Sequence, residues 1–296
     1  MISEESPTIP ASLAELAEFE SKIPIIPQVA ARLLNLTSES GANMLAVERV
    51  VGADPVLAAR VLALANSQAY GLPGQVVSLH EALKFVGTKS IHTLLCDNEP
   101  TPPLPPAPKD VATLQRRLWR HSLNTALCAE VITPRLNQTA RSSFTSEVAV
   151  TVCLLHDIGK QIMCLACPSA FMAAANDAST KGQRMHEVEF MHFPYNHAMA
   201  GAVLSTRWNL PRTVTEVIAF HHTPLAAQVN TKLTSLACFA NEVAHALENP
   251  DHDAAQLELV DRCTECAIPL RLNPESMRVL TDMCRAEVAT APSPLS

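Results

Sequence analysis

Residues 54–65 read Asp54-Pro55-Val56-Leu57-Ala58-Ala59-Arg60-Val61-Leu62-Ala63-Leu64-Ala65. An aspartate at this place accepts hydrogen bonds from the free amides of a helix start, and a proline at the first helical position loses no bond by lacking an N–H. Val56, Ala59, Val61, Leu62 and Ala65 then cover most of the helix circumference with apolar groups, which places this helix inside a lobe and not on its skin. The same punctuation recurs: Ser78-Leu79-His80-Glu81 predicts a capping box, with Gly87 closing that short helix. The 296 residues hold only 8 Gly, 8 Phe, 2 Trp and 2 Tyr, and no Asn-Gly turn separates two alternating runs, so nothing announces strands. The sequence predicts an all-α fold, a two-lobed helical bundle.

Around that helix the composition narrows the function. Lys+Arg number 22 against 29 Asp+Glu, a net charge of −7, which argues against nucleic acid as a partner because a polyanion is held by clustered cations. A hydrophobic fraction of 48% excludes a largely disordered chain. The N-terminal Met1-Ile2-Ser3-Glu4-Glu5-Ser6 lacks the basic flank and apolar run of a secretory signal, and no stretch is expected to approach the roughly 20 apolar residues that span a bilayer. The expectation is a cytoplasmic protein with no membrane partner, its nine cysteines reduced and mostly buried.

Residues 100–108 carry six prolines, a stiff connector that cannot hold a helix. The expected organisation is a lead-in at 1–20, an N-terminal helical lobe at 21–99, the connector at 100–109, a second helical lobe at 110–247 and a helical extension at 248–296. Beyond the connector the punctuation predicts helices near 111–133, 146–165, 169–181, 194–208, 212–222, 231–247 and 275–289.

Eleven histidines sit in this acidic chain, and the informative ones are His121, His156 beside Asp157, His197, and the adjacent His221 and His222. Leu154, Leu155 and Ile158 flank His156-Asp157, and Val217, Ile218 and Phe220 precede the histidine pair, so these polar groups point into a bundle and need partners there. Singly, each is best read as a hydrogen-bonded core or surface residue; together, imidazoles and one carboxylate from separate helices are the makings of a bundle-core metal site. The pairs Cys164/Cys167 and Cys263/Cys266 stand too far apart in sequence for a compact zinc ribbon and read as buried thiols, a redox or zinc role for Cys263 and Cys266 being the lesser alternative. Arg116, Arg117 and Arg120 read as a solvated face.

Leu154-Leu155-His156-Asp157-Ile158-Gly159-Lys160, preceded by Trp119-Arg120-His121-Ser122 and followed by His197 and His221-His222, resembles the HD superfamily of metal-dependent phosphohydrolases. Ile23-Pro24-Ile25-Ile26-Pro27, Asp54-Pro55, Ala65-Asn66-Ser67, Tyr70-Gly71-Leu72-Pro73 and Ala82-Leu83 through Gly87 resemble the HDOD domain, the HD-related output domain of bacterial signalling proteins. The resemblance spans roughly residues 20 to 245. It places His121, His156, Asp157, His197, His221 and His222 where the related HD-GYP cyclic di-GMP phosphodiesterases hold metal. It sets Lys160 where those enzymes bring a lysine to the substrate phosphate. Asn241 stands where a catalytic HD domain has its closing aspartate, and Thr223-Pro224-Leu225 follows His222 in place of the loop that names the HD-GYP enzymes.

The resemblance therefore implies a bacterial regulatory module that signals to protein partners and keeps one divalent transition metal, Fe, Zn, Ni or Mn, in its second lobe. With only Asp157 anionic among the carried-over ligands, two divalent ions would be poorly compensated. Two rival functions follow from the same residues. One is a metal-dependent phosphohydrolase of cyclic di-GMP or another nucleotide, with Asp157 and Lys160 as its catalytic groups; the other is a sensor that binds such a nucleotide without cleaving it.

Overall fold

The computed structural model describes residues 9–38, 43–97, 109–139, 144–248 and 252–291, and among these every regular element is a helix. The proline-rich run at 100–108 lies outside the described residues. Before it come α1 (Leu13–Ala17), α2 (Pro27–Ser38), α3 (Met44–Val51), α4 (Pro55–Ala65) and α5 (Leu79–Asp97). After it come α6 (Lys109–Thr139), α7 (Ser146–Leu155), α8 (Ile158–Ala166), α9 (Pro168–Lys181), α10 (Met185–His192), α11 (His197–Arg207), α12 (Arg212–Phe220) and α13 (Thr231–Glu248). The chain then continues through α14 (His252–Arg262), α15 (Thr264–Leu270) and α16 (Pro274–Thr290).

α4 behaves as its sequence predicts. Asp54 Oδ1 accepts from the amides of Val56 and Leu57 at 2.8 and 3.0 Å, while its Oδ2 accepts from Ile26 N at 2.7 Å, so one buried carboxylate starts α4 and pins the entry to α2. Asn66, just past α4, donates to the carbonyls of Leu62 and Val76 and accepts from Val76 N, which folds the 66–78 loop back on the helix. Ser78 Oγ accepts from Glu81 N at 3.1 Å and opens α5. Gly87 breaks that helix with φ 71° and ψ 163°, a region open to glycine, but the chain resumes helically to Asp97 where the sequence predicts a stop.

The two halves share a core. α4 and α5 pack on α7, and Leu79 N donates to Thr151 Oγ1 at 2.9 Å across the junction. α1 packs on α8 and α11, with the Tyr195 hydroxyl donating to Pro10 O at 3.2 Å and Arg207 paired with Glu20 at 2.8 Å. The N-terminal segment thus straps onto the far half of the molecule. At the other end, α16 lies on α6 and α13, burying Met277, Leu280 and Cys284.

Sequence punctuation missed α10, α14 and α15, and it joined α7 to α8 as one helix over 146–165. The structure breaks that helix at His156-Asp157, where Asp157 has φ −101° and ψ 15°. The expectation that no stretch approaches a bilayer span is also corrected: residues 146–166 are long and apolar enough by composition. They are broken in the middle and mostly buried, because they form the packed centre of the second half, against α6, α11 and α13.

Candidate metal centre

Five elements aim side chains at one point. His121 comes from the middle of α6, His156 and Asp157 from the α7–α8 break, His197 from the first position of α11, and His221 and His222 from the turn after α12. α13 contributes Asn241. His156 and Asp157 are not successive residues of one helix, as the sequence suggests, but the two cap residues between helices, His156 closing α7 and Asp157 opening α8. The break lets both face inward.

Glycine makes the close approach. A Cβ on Gly159 would overlap the carbonyl oxygen of His197 and lie 2.6 Å from Gly201 N, so α8 and α11 touch backbone to backbone only because residue 159 has no side chain. That contact sets His197 beside Asp157. Asn196 caps α11 by accepting from Met199 N at 3.0 Å, fixing the turn that presents His197.

The six residues converge as two half-sets that share Asp157. In one, Asp157 Oδ1 lies 3.1 Å from His197 Nε2 and 3.6 Å from His221 Nε2; His197 Nε2 lies 3.4 Å from His221 Nε2 and 2.9 Å from His222 Nε2. In the other, Asp157 Oδ2 lies 3.2 Å from His156 Nε2 and 3.8 Å from His121 Nε2, with Asn241 Oδ1 at 3.2 and 2.8 Å from the same two nitrogens. Lys160 Nζ sits at 2.6 Å from Asp157 Oδ2, buried with it.

An outer ring of acceptors orients the imidazoles. His156 Nδ1 donates to Cys153 O at 2.7 Å, His221 Nδ1 to Ile218 O at 2.9 Å, His197 Nδ1 to the Glu189 carboxylate at 2.8 Å, and His121 Nδ1 to Glu248 at 3.1 Å. With Nδ1–H engaged, each neutral ring presents a bare Nε2 to the centre, the tautomer and aim a metal ligand needs. Burial pushes the His221 imidazole down to about 4. At His197 burial opposes the charge, yet the carboxylates of Glu189 and Asp157 hold the ring above its ordinary value. Burial likewise disfavours ionised Asp157, but His156, Lys160 and His197 hold its carboxyl well below the usual carboxylate range.

Whether the residues fit a cation can be tested on their own chemistry. Asp157 Oδ1 is buried and has no hydrogen-bond donor. In the neutral rings the facing Nε2 atoms of His197 and His221 are both lone-pair ends 3.4 Å apart, and such acceptors repel unless a proton or a metal cation lies between them. Donors at about 2.1 Å from a tetrahedral ion stand roughly 3.4 Å apart; the separations among His197, His221 and Asp157 Oδ1, and that between His197 and His222, run from 2.9 to 3.6 Å. The half-set of His197, His221, His222 and Asp157 Oδ1 is therefore compatible with a divalent transition metal.

Several contributors escaped the sequence analysis. Glu189 on α10 is fully buried and holds both Nδ1 and the backbone amide of His197. His186 stacks on His222 with ring centroids 3.8 Å apart, and burial pushes it down to about 3. His245 and Glu248 follow Asn241, already singled out by the resemblance, at helical spacing on one face of α13, a legible signal, and the His245 ring stacks on His121 at 4.1 Å. A cleft of about 830 Å³ opens over the centre, walled by Arg117, Arg184 and Arg262 as well as Asp110, Glu242 and Glu258. Cys164, Cys167, Cys263 and Cys266 are buried free thiols outside every group able to hold a metal among the described residues.

A helical bundle with a histidine-aspartate cluster at a broken helix defines an HD-type fold. The HDOD domain model matches residues 23–224, and the chain belongs to that family. A Treponema pallidum protein described as uncharacterized is 24% identical over 237 residues, 78% of this chain, and this chain spans 44% of its length. Among solved structures, the MmoQ response regulator of Methylococcus capsulatus superposes with a TM-score of 0.63 at 21% identity, covering 88% of this chain and 97% of that one. A virulence factor of Campylobacter jejuni gives 0.66 at 17% identity, covering 95% and 99%. An HDOD domain protein of Geobacter sulfurreducens gives 0.52 at 21%, covering 94% and 97%. These likenesses establish the fold.

Proposed function

We propose that this HDOD protein is a bacterial, cytoplasmic signal-transduction output module that acts through protein–protein contacts and holds one divalent transition metal as a fastener, not as a hydrolytic catalyst. The carrying observation is the asymmetry of the two half-sets. His197, His221, His222 and Asp157 Oδ1 form an open set of donors, whereas the other half-set has an amide at 241 and an ammonium already on Asp157 Oδ2. The description of the Methylococcus capsulatus structure as a response regulator supports a signalling role.

Charge favours one ion over two. The carboxylates of Asp157, Glu189 and Glu248 surround the histidines. They match one divalent ion together with the Lys160 ammonium; a second ion would leave two positive charges unmatched in a buried site. Phosphodiester cleavage by a two-metal clamp loses its symmetric stabilisation under those conditions. When bound, the ion would supply a cross-link between the α7–α8 break, α11 and the turn after α12. Fe, Zn, Ni and Mn all suit three imidazoles and one carboxylate.

The cleft favours a second reading, a sensor that binds cyclic di-GMP or another nucleotide without cleaving it. Its volume admits a nucleotide, and Lys160, Arg117 and Arg184 offer cations to a phosphate. Incubation of metal-loaded protein with cyclic di-GMP and nucleotides, following binding and product together, separates the readings. The module reading expects neither; binding without product establishes the sensor, and turnover abolished by Asp157→Ala overturns both.

A further inference from the structure

The half-set at Asn241 poses a question of proton inventory. His156 gives its Nδ1–H to Cys153 O and His121 gives its own to Glu248, so in each neutral ring the Nε2 atom faces the centre as a lone pair. The amide end of Asn241 lies 2.8 Å from one and 3.2 Å from the other. With Oδ1 turned toward them, acceptors would face acceptors. A half-turn of the amide, which exchanges two atoms of nearly equal size, puts Nδ2 there instead, and a primary amide carries two N–H donors for the two waiting nitrogens. The remaining anionic atom, Asp157 Oδ2, lies 3.2 Å from His156 Nε2 and is met by the Lys160 ammonium at 2.6 Å, which offsets its charge beside that ring, both Asp157 and Lys160 being buried. Protonating the two rings instead would add two buried positive charges beside Lys160, the costlier solution.

Resting on the single-ion reading above, we infer that the Asn241 amide and the Lys160 ammonium are built-in substitutes for a second metal ion, closing the His121/His156 half-set with the protein's own protons. An aspartate at 241 has no protons to give and would call for a cation; an asparagine supplies two. Lys160 is accordingly a positioning residue for Asp157, holding Oδ2 so that Oδ1 stays aimed at His197 and His221. Both histidines of the half-set then have a defined role, as the acceptors of the amide.

The test uses the full chain, stripped with chelator and titrated with zinc or manganese(II) alone. Elemental analysis at saturation is expected to give one ion per chain, and the double variant Asn241→Asp with Lys160→Met is expected to give one more than wild type. Ring 15N spectra of zinc-titrated wild type provide an arm that needs no variant to fold. The Nε2 resonances of His197, His221 and His222 should move on adding zinc, while those of His121 and His156 keep the position of unprotonated, hydrogen-bonded acceptors. Movement of the His121 and His156 resonances with metal, or two ions per wild-type chain, overturns the inference while leaving a metal-binding centre in place. No ion in wild type defeats the single-ion function; the inference then stands if His121 and His156 show the acceptor position and falls if they do not.

Discussion

At the scale of single residues, the centre depends on groups that never face it. Glu189 reaches His197 from the outside, taking its Nδ1–H and amide, so Glu189→Gln is expected to weaken metal binding about 10- to 100-fold in a competition titration against a chromophoric chelator. Unchanged affinity would remove Glu189 from the proposed centre. His221 supplies a pH dependence: its folded value of about 4 lies below the 6.5 of an exposed histidine. The unfolded chain therefore takes up this proton first, and stability in metal-free protein falls as pH drops from 6.5 toward 4. By pH 5 the loss is about 2 kcal/mol. His197, whose value is raised, works in the opposite sense, stabilising below 6.5 and fading as pH rises through its folded value. Comparing urea midpoints of chelated wild type and His221→Gln at pH 7.5 and 5 isolates the first effect; equal losses in the two proteins would refute it. His156, Asp157, His221 and His222 were legible in the sequence because polar residues between Leu155 and Ile158, or after Ile218, need buried partners, while His121 and His197 joined them through the order of motifs that resembles the HD superfamily. Glu189 was not, since nothing in the sequence around Val188 and Phe190 announces a helix or says what that segment faces.

Elements decide how near those residues come. The Gly159 contact fixes the α8–α11 spacing, and Gly159→Ala should cost about 3 kcal/mol or more in denaturant unfolding because backbone, not a flexible side chain, must give way. A loss below about 1 kcal/mol would mean that α11 can retreat without penalty. The junction between the halves makes a milder case. Thr151→Val removes the acceptor for the buried Leu79 amide, with an expected cost of about 1–3 kcal/mol. Most helix starts were readable from caps such as Asp54 and Ser78 and from the prolines that open α4, α9 and α16. The α7–α8 break was not, because Val152 through Ile162 is apolar enough to continue one helix, and what ends it is the pull of His156 and Asp157 toward residues of α6, α11 and α13. α10, rich in polar residues and leaving Phe190 and Met191 exposed, lacks the apolar stripe that announces a helix.

For the whole molecule, a single ion would join α11 to the α7–α8 break and to the turn after α12. Saturating metal at about 100 times its dissociation constant should add about 2.7 kcal/mol, read as a rise of roughly 4 °C in melting temperature over chelated protein. His197→Ala should abolish that rise, whereas His156→Ala should lower the melting temperature of the metal-free chain and leave the rise intact. Loss of the rise in both variants would place the ion between the half-sets. The sequence by itself determined the helical class, the buried character of α4 and the membership of the histidine and aspartate set, because helix caps, apolar periodicity and polar residues in apolar runs are local properties of the chain. Only the tertiary structure decided that this set divides about the two oxygens of Asp157, that Lys160 holds one of them, and that Glu189 and Glu248 complete the charge. Those facts depend on distances between helices, which are set by packing across the fold and are written in no single segment.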